Sequence, residues 1–345
     1  MRRKKFIKTL SAASALPFIP FKDLLPYAQR QNKKIKPKRL YKGDTIALTA
    51  PGSYISEEEL QDCIDNLTDL GLKSVYNKSI LSRTGYFSGN DSQRAGELME
   101  MFSRDDVNGI MCARGGYGCS RILPLLDYNV IKNNPKILIG YSDITALLYG
   151  IYSETGLVCF HGPVGISTFN EFSTHYLKKV LINPKDDLEL LSIPEEDSAE
   201  PFTISGGKAS GELVGGNLSV AVSLIGTGYD INTENKIIFL EETSEEPYRV
   251  DRMLTQMIMC GKFDKAAGVA LGVFDNCEPK EDKPSFKNSF SLKEVLFDRF
   301  SGFKIPVVYG LSFGHIKNKF TLPFGIQAEL DADSKKITLL EKSVV

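Results

Sequence analysis

KILIGYSDITALLYGIYSETG, residues 136–156, contains a strand signal and a helix signal joined by a short turn. The apolar run at its start is typical of a buried strand, and the apolar residues that follow favour a helix that ends at Gly156. Ser142 lies in the turn, which is the layout of a nucleophile elbow that projects a hydroxyl clear of the backbone. The second glycine of the elbow motif is absent, and a helix cap formed by Ser142 or Asp143 explains the same spacing.

The alternation of strand and helix signals continues on both sides of this unit. DTIALTAP (44–51), VNGIMCARGG (107–116) and LVCFHGP (157–163) are predicted strands, and residues 57–70 carry apolar side chains at helical spacing. Strands that alternate with helices predict parallel βαβ units. Because the carboxyl ends of parallel strands share one edge of the sheet, we expect the loops APGS, ARGGYG, GYSD and FHGP to meet there.

The chain divides into four predicted segments. Residues 1–39 are an export signal and basic tail, and residues 40–166 are an N-terminal α/β domain that carries the nucleophile candidate. The polar, proline-bearing residues 167–204 are predicted to be a linker with some local structure. Residues 205–345 form a C-terminal domain with more glycine and more β structure. A crevice between two domains is a common place for a small-ligand site.

The N-terminus has the layout of an export signal. Arg2, Arg3, Lys4 and Lys5 precede the moderately apolar stretch LSAASALPFIPF (10–21), and Ala28 is a small residue suited to cleavage. The paired arginines resemble a twin-arginine signal and predict a periplasmic protein, while a basic tail on a cytoplasmic protein is the alternative. No apolar run reaches the roughly 18 residues that a membrane span needs, so stable membrane insertion is not expected.

Composition narrows the classes of partner. The chain has 42 Lys and Arg against 43 Asp and Glu, a net charge of -1, so no long-range field would attract nucleic acid. The six cysteines include no CxxC pair, which argues against a zinc ribbon or a thioredoxin-type site. We expect them to be small buried apolar residues.

The three histidines differ in context. His175 lies in the polar linker and is expected at the surface. His161, at the end of a predicted strand in CFHGP, is either a site residue or a hydrogen-bonded structural histidine. His315 lies in the glycine-flanked loop of GLSFGHIKNK (310–319), after an apolar strand, and such loops often carry catalytic groups.

A carboxylate candidate ends the apolar strand KIIFLEE (236–242), where it could orient a histidine. Glu241 and Glu242 alternate to opposite faces of the strand, so only one can point into a site, and the pattern leaves the choice open. Glu242, Glu245 and Glu246 form a charge run, which is usually a solvated face.

ARGGYG (113–118) places two glycines after a predicted strand. Glycines there let a backbone approach a ligand or donate N–H groups to an anion, and a plain tight turn is the alternative. The GxGxxG spacing and the lysine of a P-loop are both missing, so this is not a nucleotide fingerprint.

Seven motifs, taken in order, resemble those of the LD-carboxypeptidase family of serine peptidases, which also includes the microcin-immunity peptidases. They are TAPGS (49–53), RGGYG (114–118), IGYSD (139–143), HGP (161–163), GGN (215–217), FLEE with EPYRVDR (239–252) and FGH (313–315). The resemblance extends from about residue 40 to residue 343.

The resemblance implies a role for each matching position. Ser142 is the nucleophile, Glu241 the triad acid and His315 the general base. The backbone N–H groups of Asp143 and Gly116 form the oxyanion hole. The implied substrate-binding positions are Arg114, Gly115, Tyr117, Gly216 and Asn217. Neither a metal nor another cofactor is implied.

The implied fold is α/β, with an amidotransferase-like (flavodoxin-like) N-terminal domain and a smaller swivelling β/β/α C-terminal domain, usually in a homodimer. The implied reaction removes the terminal D-alanine from a peptidoglycan tetrapeptide, so the expected partner is a small muropeptide. Two alternatives stay open. One is an immunity-type peptidase or amidase that cleaves a peptidyl- or acyl-nucleotide antibiotic, and the other is a non-catalytic muropeptide-binding protein.

Overall fold

The computed structural model describes residues 32–194 and 200–345. The strands in these ranges are β1 Thr45–Thr49, β2 Lys73–Val75, β3 Gly109–Cys112, β4 Ile137–Gly140, β5 Phe160–His161, β6 Leu188–Leu191, β7 Phe202–Ser205, β8 Lys208–Asn217, β9 Lys236–Thr243, β10 Gly268–Asp275, β11 Val307–Leu311, β12 Leu322–Pro323, β13 Gln327–Asp331 and β14 Lys336–Leu339. The helices are α1 Glu57–Asp69, α2 Asp91–Ser103, α3 Cys119–Ile122, α4 Tyr128–Asn133, α5 Thr145–Thr155, α6 Glu171–Leu181, α7 Leu218–Ser223, α8 Pro247–Met259 and α9 Leu292–Phe300.

The first sheet has the strand order β12-β5-β4-β3-β1-β2. Strands β1 to β5 are parallel, and β12 pairs antiparallel with β5. The order of the five parallel strands is that of flavodoxin-like sheets. β3 and β4 are buried over their whole length, which is typical of central strands in a parallel sheet covered on both faces. The predicted α/β fold class is confirmed.

Local signals set the bounds of the helices that frame this sheet. α1 and α2 each begin at a capping box, formed by Ser56 with Glu59 and by Asn90 with Gln93. α5 ends at Gly156 in the left-handed conformation, as the glycine predicted. The loop that follows β1 therefore leads into a helix whose start is fixed by its cap.

The second sheet is mixed, with the order β6-β14-β13-β8-β9-β10-β11-β7. Strands β8 to β11 are parallel, and the strands on either side of them pair antiparallel. α8 is amphipathic and buries Val250, Leu254 and Met257 on one face. β9 lies next to the centre of the sheet, and its carboxyl end carries the two candidate glutamates.

The predicted linker, residues 167–204, contains a helix and a strand that belong to the folded body. The buried residues of α6 are Ser173, Tyr176, Leu177, Val180 and Leu181. β6 pairs with β14, and β7, which begins in this segment, pairs with β11.

Residues 32–39, grouped above with the basic tail, are also attached to the folded body. Ile35 forms a β-bridge with Leu157, and Lys36 forms an ion pair with Glu341. The four-segment division stays a prediction, and most of the export signal and tail lies outside the described residues.

The two sheets meet through specific contacts. The hydroxyl of Thr145, at the start of α5, accepts a hydrogen bond of 3.0 Å from the backbone N–H of Asn217 at the end of β8. Tyr152 donates a hydrogen bond of 3.0 Å to Glu212. β12, which comes from the C-terminal part of the chain, is part of the first sheet. The carboxyl ends of β4 and β8 are therefore held against each other.

The cysteines and the absence of a long apolar run were two further expectations from the sequence. Five of the six cysteines are buried as predicted, whereas Cys260, at the end of α8, is exposed and the prediction for it was wrong. Among the helices of residues 32–194 and 200–345, none combines the length and the apolar composition that a membrane crossing requires.

Candidate functional site

Ser142 stands two residues after β4, in a strained turn. Its φ is +63°, in the left-handed region that a residue with a Cβ rarely adopts. It opens a 3-10 turn, Ser142–Ile144, that leads directly into α5. Neither this turn nor α5 has a side-chain cap, so the capping alternative does not explain the residue. Such strain persists only where the surroundings impose it, and it clusters at functional sites.

The glycine loop after β3 presses against this turn. A Cβ added to Gly115 would lie 2.9 Å from the Cβ of Ser142 and 3.2 Å from its Oγ, so only glycine permits the contact. The same position lies 3.2 Å from the backbone nitrogen of Asp143. The buried Asp143 carboxylate accepts a 2.8 Å hydrogen bond from the backbone N–H of Cys119, which ties the turn to the far end of the loop.

The two predicted oxyanion-hole residues lie in the glycine loop and in the turn that these contacts join. Gly116, exposed and with a φ of +85°, lies at the outer side of the loop against Ser53. The backbone N–H of Asp143 begins the turn into α5, where peptide dipoles favour a negative charge. The assignment of the hole to these two groups stays a prediction.

Glu241 and His315 form a hydrogen-bonded pair. The Oε2 of Glu241 lies 2.7 Å from the Nδ1 of His315. Glu241 is fully buried, whereas the His315 side chain keeps 20 % exposure. Burial acts to raise the pKa of Glu241, but its interactions with His315, and to a smaller extent with His161 and Asn217, outweigh burial, so the pKa is lowered. A carboxylate in this state can orient an imidazole and stabilise its positive form.

Gly314 makes this pair possible. Its φ is +119°, and an added Cβ would lie 2.8 Å from the carbonyl oxygen of Val273 and 3.1 Å from the Cβ of Glu241. The loop that carries His315 therefore needs glycine at this position to come so close to β9 and β10.

Tyr141 connects the nucleophile candidate to the pair. It directly precedes Ser142, and its ring packs edge-to-face on His315 with centroids 4.8 Å apart. On another side of the same ring, the Nζ of Lys319 lies 4.6 Å from the centroid. The turn that carries Ser142 thus lies beside the Glu241–His315 pair, with the ring of Tyr141 between them.

The two adjacent glutamates of β9 have different partners, as strand alternation predicts. Glu242 accepts hydrogen bonds from the amide of Asn217 at 3.1 Å and from the backbone N–H of Ser219 at 2.7 Å. Burial raises the pKa of Glu242. The expectation of a solvated charge run was wrong here, because Glu242 and Glu246 are buried and Glu246 is bound by Ser285.

The predicted substrate-binding residues fall into two groups. Arg114 and Tyr117 are accessible, and Arg114 forms a 3.0 Å ion pair with Glu59. Gly115, Gly216 and Asn217 are buried, and Asn217 caps α7 with its side chain. Their contact with substrate stays a prediction.

Sequence reasoning named Tyr117 but missed the aromatic group that it forms beside the glycine loop. Tyr86 and Tyr117 are more than half exposed, with ring centroids 5.8 Å apart, and Phe87 packs beneath both. It also missed Lys319, which is buried next to Tyr141. No spacing rule joins residues 86 and 117, so the only available signal was the exposed tyrosine in RGGYG itself.

The other two histidines differ sharply. His175 is exposed, as predicted. His161 is 1 % exposed, and burial lowers its pKa to about 4, so its ring is neutral at physiological pH. Within residues 32–194 and 200–345, no cluster of His, Cys, Asp and Glu has the arrangement of a metal site.

Two family models together match more than half of the chain. Residues 46–162 match the LD-carboxypeptidase N-terminal domain, and residues 210–330 match the LD-carboxypeptidase C-terminal domain. The chain belongs to the LD-carboxypeptidase family. Ser142 lies in the first matched region, and Glu241 and His315 lie in the second.

Individual family members cover nearly the whole chain. A probable murein peptide carboxypeptidase of Bacillus subtilis is 38% identical over 90% of this chain and 95% of its own length. The solved structure of a muramoyltetrapeptide carboxypeptidase from Oxalobacter formigenes has a TM-score of 0.72 at 31% identity, covering 86% of this chain and 97% of that one. The structure of MccF in complex with glutamyl sulfamoyl guanosine has a TM-score of 0.81 at 28% identity, covering 90% and 99%. The chain is therefore a peptidase of this family.

Proposed function

We propose that this peptidase is a serine-type LD-carboxypeptidase that removes the terminal D-alanine from peptidoglycan tetrapeptides. The observation that carries the proposal is the 2.7 Å pair of buried Glu241 and His315, packed through Tyr141 against the strained turn of Ser142. A nucleophile candidate, a base and an acid that orients the base are the parts that acyl transfer requires.

In the acylation step, the Nε2 of His315 takes the proton of the Ser142 hydroxyl as Oγ attacks the carbonyl carbon of the scissile bond. The Nδ1 of His315 stays bound to Glu241, which fixes the tautomer and stabilises the imidazolium. His315 then gives its proton to the leaving nitrogen. The C–N bond breaks, D-alanine departs, and the shortened peptide stays as an ester on Ser142.

In the deacylation step, His315 takes a proton from water as the water oxygen attacks the ester carbonyl. The proton returns to Oγ when the ester bond breaks, and the tripeptide acid is released. In both steps, the backbone N–H groups of Asp143 and Gly116 are proposed to hold the oxyanion. The start of α5 adds the positive end of its dipole.

A carboxypeptidase also needs a cation for the terminal carboxylate of its substrate. Arg114 is our candidate, because it is accessible and follows β3 next to the loop that touches Ser142. Its ion pair with Glu59 holds the guanidinium in place. A planar guanidinium can bind a carboxylate through two parallel hydrogen bonds.

The test uses purified tetrapeptide and mass spectrometry of the products. The wild-type enzyme is expected to release one D-alanine per tetrapeptide, and Ser142→Ala is expected to release none while keeping its fold by circular dichroism. Ser103→Ala is the matched control, because Ser103 is an exposed serine at the end of α2. Equal D-alanine release by wild type and Ser142→Ala would end the proposal.

An immunity-type peptidase is the second candidate, favoured by one observation. MccF has the higher TM-score of the two structures compared above, although the Bacillus subtilis relative has the higher sequence identity. A side-by-side assay of tetrapeptide and an acyl sulfamoyl nucleoside, each compared by kcat/KM, separates the two. A higher kcat/KM for the nucleoside compound would favour the immunity type.

A non-catalytic binding protein is the remaining alternative. A fluorophosphonate probe separates it from an enzyme, because the probe reacts only with an activated serine. Labelling of wild type, with loss of label in Ser142→Ala, is expected. Muropeptide binding by a protein that neither labels nor releases D-alanine would favour the binding reading.

We further propose a homodimer that is exported to the periplasm and is not inserted in the membrane. The family resemblance supports the dimer, and Arg2 and Arg3 before the apolar stretch support export. Sedimentation of the purified protein tests the homodimer. Cell fractionation of the wild type and of the double variant Arg2→Lys, Arg3→Lys tests export, and an unchanged distribution would count against a twin-arginine signal.

A further inference from the structure

Two of the buried polar groups that lack a hydrogen-bond partner among the described residues lie near the triad. Both ring nitrogens of His161 are buried and unpartnered, and so is the Oε1 of Glu241. The amide of Asn217, which also acts on Glu241, makes its 3.1 Å hydrogen bond to Glu242. A buried polar group without a partner is destabilising, and for a charged group the cost is larger. Natural proteins usually satisfy such groups with protein atoms or with internal water.

The two groups belong to one neighbourhood. Phe239 lies two residues before Glu241 and on the same face of β9, and its ring contacts His161 with centroids 5.4 Å apart. Tyr141 contacts both histidine rings, at 6.1 Å for His161 and 4.8 Å for His315. Burial lowers the pKa of His161, and the nearby charge of Glu241 acts in the opposite direction. His161 therefore lies in the immediate neighbourhood of the Glu241–His315 pair.

Aromatic side chains form much of the surroundings of His161. The rings of Tyr141, Phe239 and Phe313 enclose it, each in an edge-to-face arrangement. An apolar residue would suit such a pocket if packing were the only requirement. A neutral imidazole has one N–H donor, and a carboxylate oxygen is the acceptor that matches it.

We propose that an internal water molecule bridges a ring nitrogen of His161 and the Oε1 of Glu241, and that His161 is a positioning residue for the triad acid. The proposal rests on the proposed function. The N–H of His161 donates to the water, and the water donates to Oε1. Glu241 is then fixed at both oxygens, one by His315 and one by the water.

This arrangement explains why a neutral histidine suits the position. Burial keeps the ring uncharged, so it can donate one hydrogen bond without placing a second cation beside the catalytic imidazole. A positive charge there would compete with His315 for the carboxylate. A neutral donor stabilises the carboxylate and leaves the charge of the pair unchanged.

The direct test is a high-resolution crystal structure of the substrate-free enzyme. We expect water density within hydrogen-bonding distance of both His161 and Oε1 of Glu241, and no such density in His161→Phe. In the same samples, the low-field proton NMR signal of the Glu241–His315 hydrogen bond is expected to move further downfield in His161→Phe. The reason is that Oε2 becomes the stronger acceptor when Oε1 loses its donor.

Kinetics supply the second readout. His161→Phe is expected to lower kcat by about ten- to a hundredfold with little change in KM, because the loss concerns the triad and not substrate contacts. His161→Gln, whose amide can still donate to the water, is expected to recover a large part of this loss. It also provides a folded variant if phenylalanine does not fit. His175→Phe, at an exposed histidine, is the matched control and is expected to be unchanged.

An unmoved proton signal in His161→Phe, or wild-type density with no bridging water, overturns the inference. Equal losses in the phenylalanine and glutamine variants would reduce His161 to a packing residue. The structural and NMR readouts need no substrate. The proposed function can therefore fail on tetrapeptide while this inference stands, and the reverse can also occur.

Discussion

Ser142 and Glu241 both stand at the carboxyl end of a strand, one in each sheet, but they are held in place by different means. Ser142 sits at a φ of +63° and is fixed by backbone contacts, with Gly115 pressed against its Cβ. Glu241 lies in ordinary extended β9 and is fixed by burial and by the 2.7 Å hydrogen bond to His315. Backbone geometry therefore positions the first group, and side-chain electrostatics positions the second.

The difference has consequences for how each region tolerates change. A group held by backbone strain is sensitive to any Cβ added nearby, but the strain itself lowers stability. A group held by a buried charge pair is sensitive to loss of charge, because its partner then loses orientation. Substitutions near Ser142 should therefore disturb the backbone geometry of the turn, whereas substitutions at Glu241 should disturb the orientation of His315.

The largest effect is expected for Glu241→Gln. Glutamine keeps the volume but removes the charge that orients His315 and stabilises its protonated form, so kcat should fall by about 10³–10⁴. Turnover of tetrapeptide by the purified variant measures this. Glu189→Gln, at a half-exposed surface glutamate of the second sheet, is the control and should be unchanged. A loss below tenfold would show that the buried pair is not part of the catalytic machinery.

The next effect is expected for Gly115→Ala. The new methyl group would lie 2.9 Å from the Cβ of Ser142, so the turn must shift by several tenths of an ångström. A displacement on the order of 1 Å can cost about 10² in rate, and we expect kcat to fall by that factor while the Glu241–His315 proton signal stays in place. Gly302→Ala is the control, because no atom lies within 4 Å of its added Cβ. Wild-type kcat in Gly115→Ala would mean that the turn is not rigid.

The elements around Ser142 could be predicted from sequence, because the signals that specify them lie within a few residues of one another. KILIG followed by an apolar helix signal located β4, the turn and α5, because each depends on residues a few positions apart. The capping boxes of α1 and α2 are equally local. In these regions the expected elements are present with small differences in their bounds.

Features that depend on contacts between residues far apart in the chain could not be predicted from local patterns. Alternation placed Glu241 and Glu242 on opposite faces, but the choice between them depends on a loop 74 residues away. α6 was placed in a linker because its polar residues hid the buried side, which packs on the first sheet. The burial of Glu242 and Glu246 also needed partners, Ser219 and Ser285, that no spacing rule identifies.

The smallest effect, and the sharpest test of the contrast, is expected for Ser142→Gly compared with Ser142→Ala. Both remove the hydroxyl, so both should be inactive. Glycine adopts a φ of +63° without strain, whereas alanine keeps the Cβ that conflicts with it. Part of this gain is offset because glycine makes the unfolded chain more flexible. We expect Ser142→Gly to exceed Ser142→Ala in the free energy of unfolding by about 0.5–1 kcal/mol, measured by urea denaturation. Equal values would place the strain elsewhere than in the backbone of residue 142, and the turn would then be held, like Glu241, by its side-chain contacts.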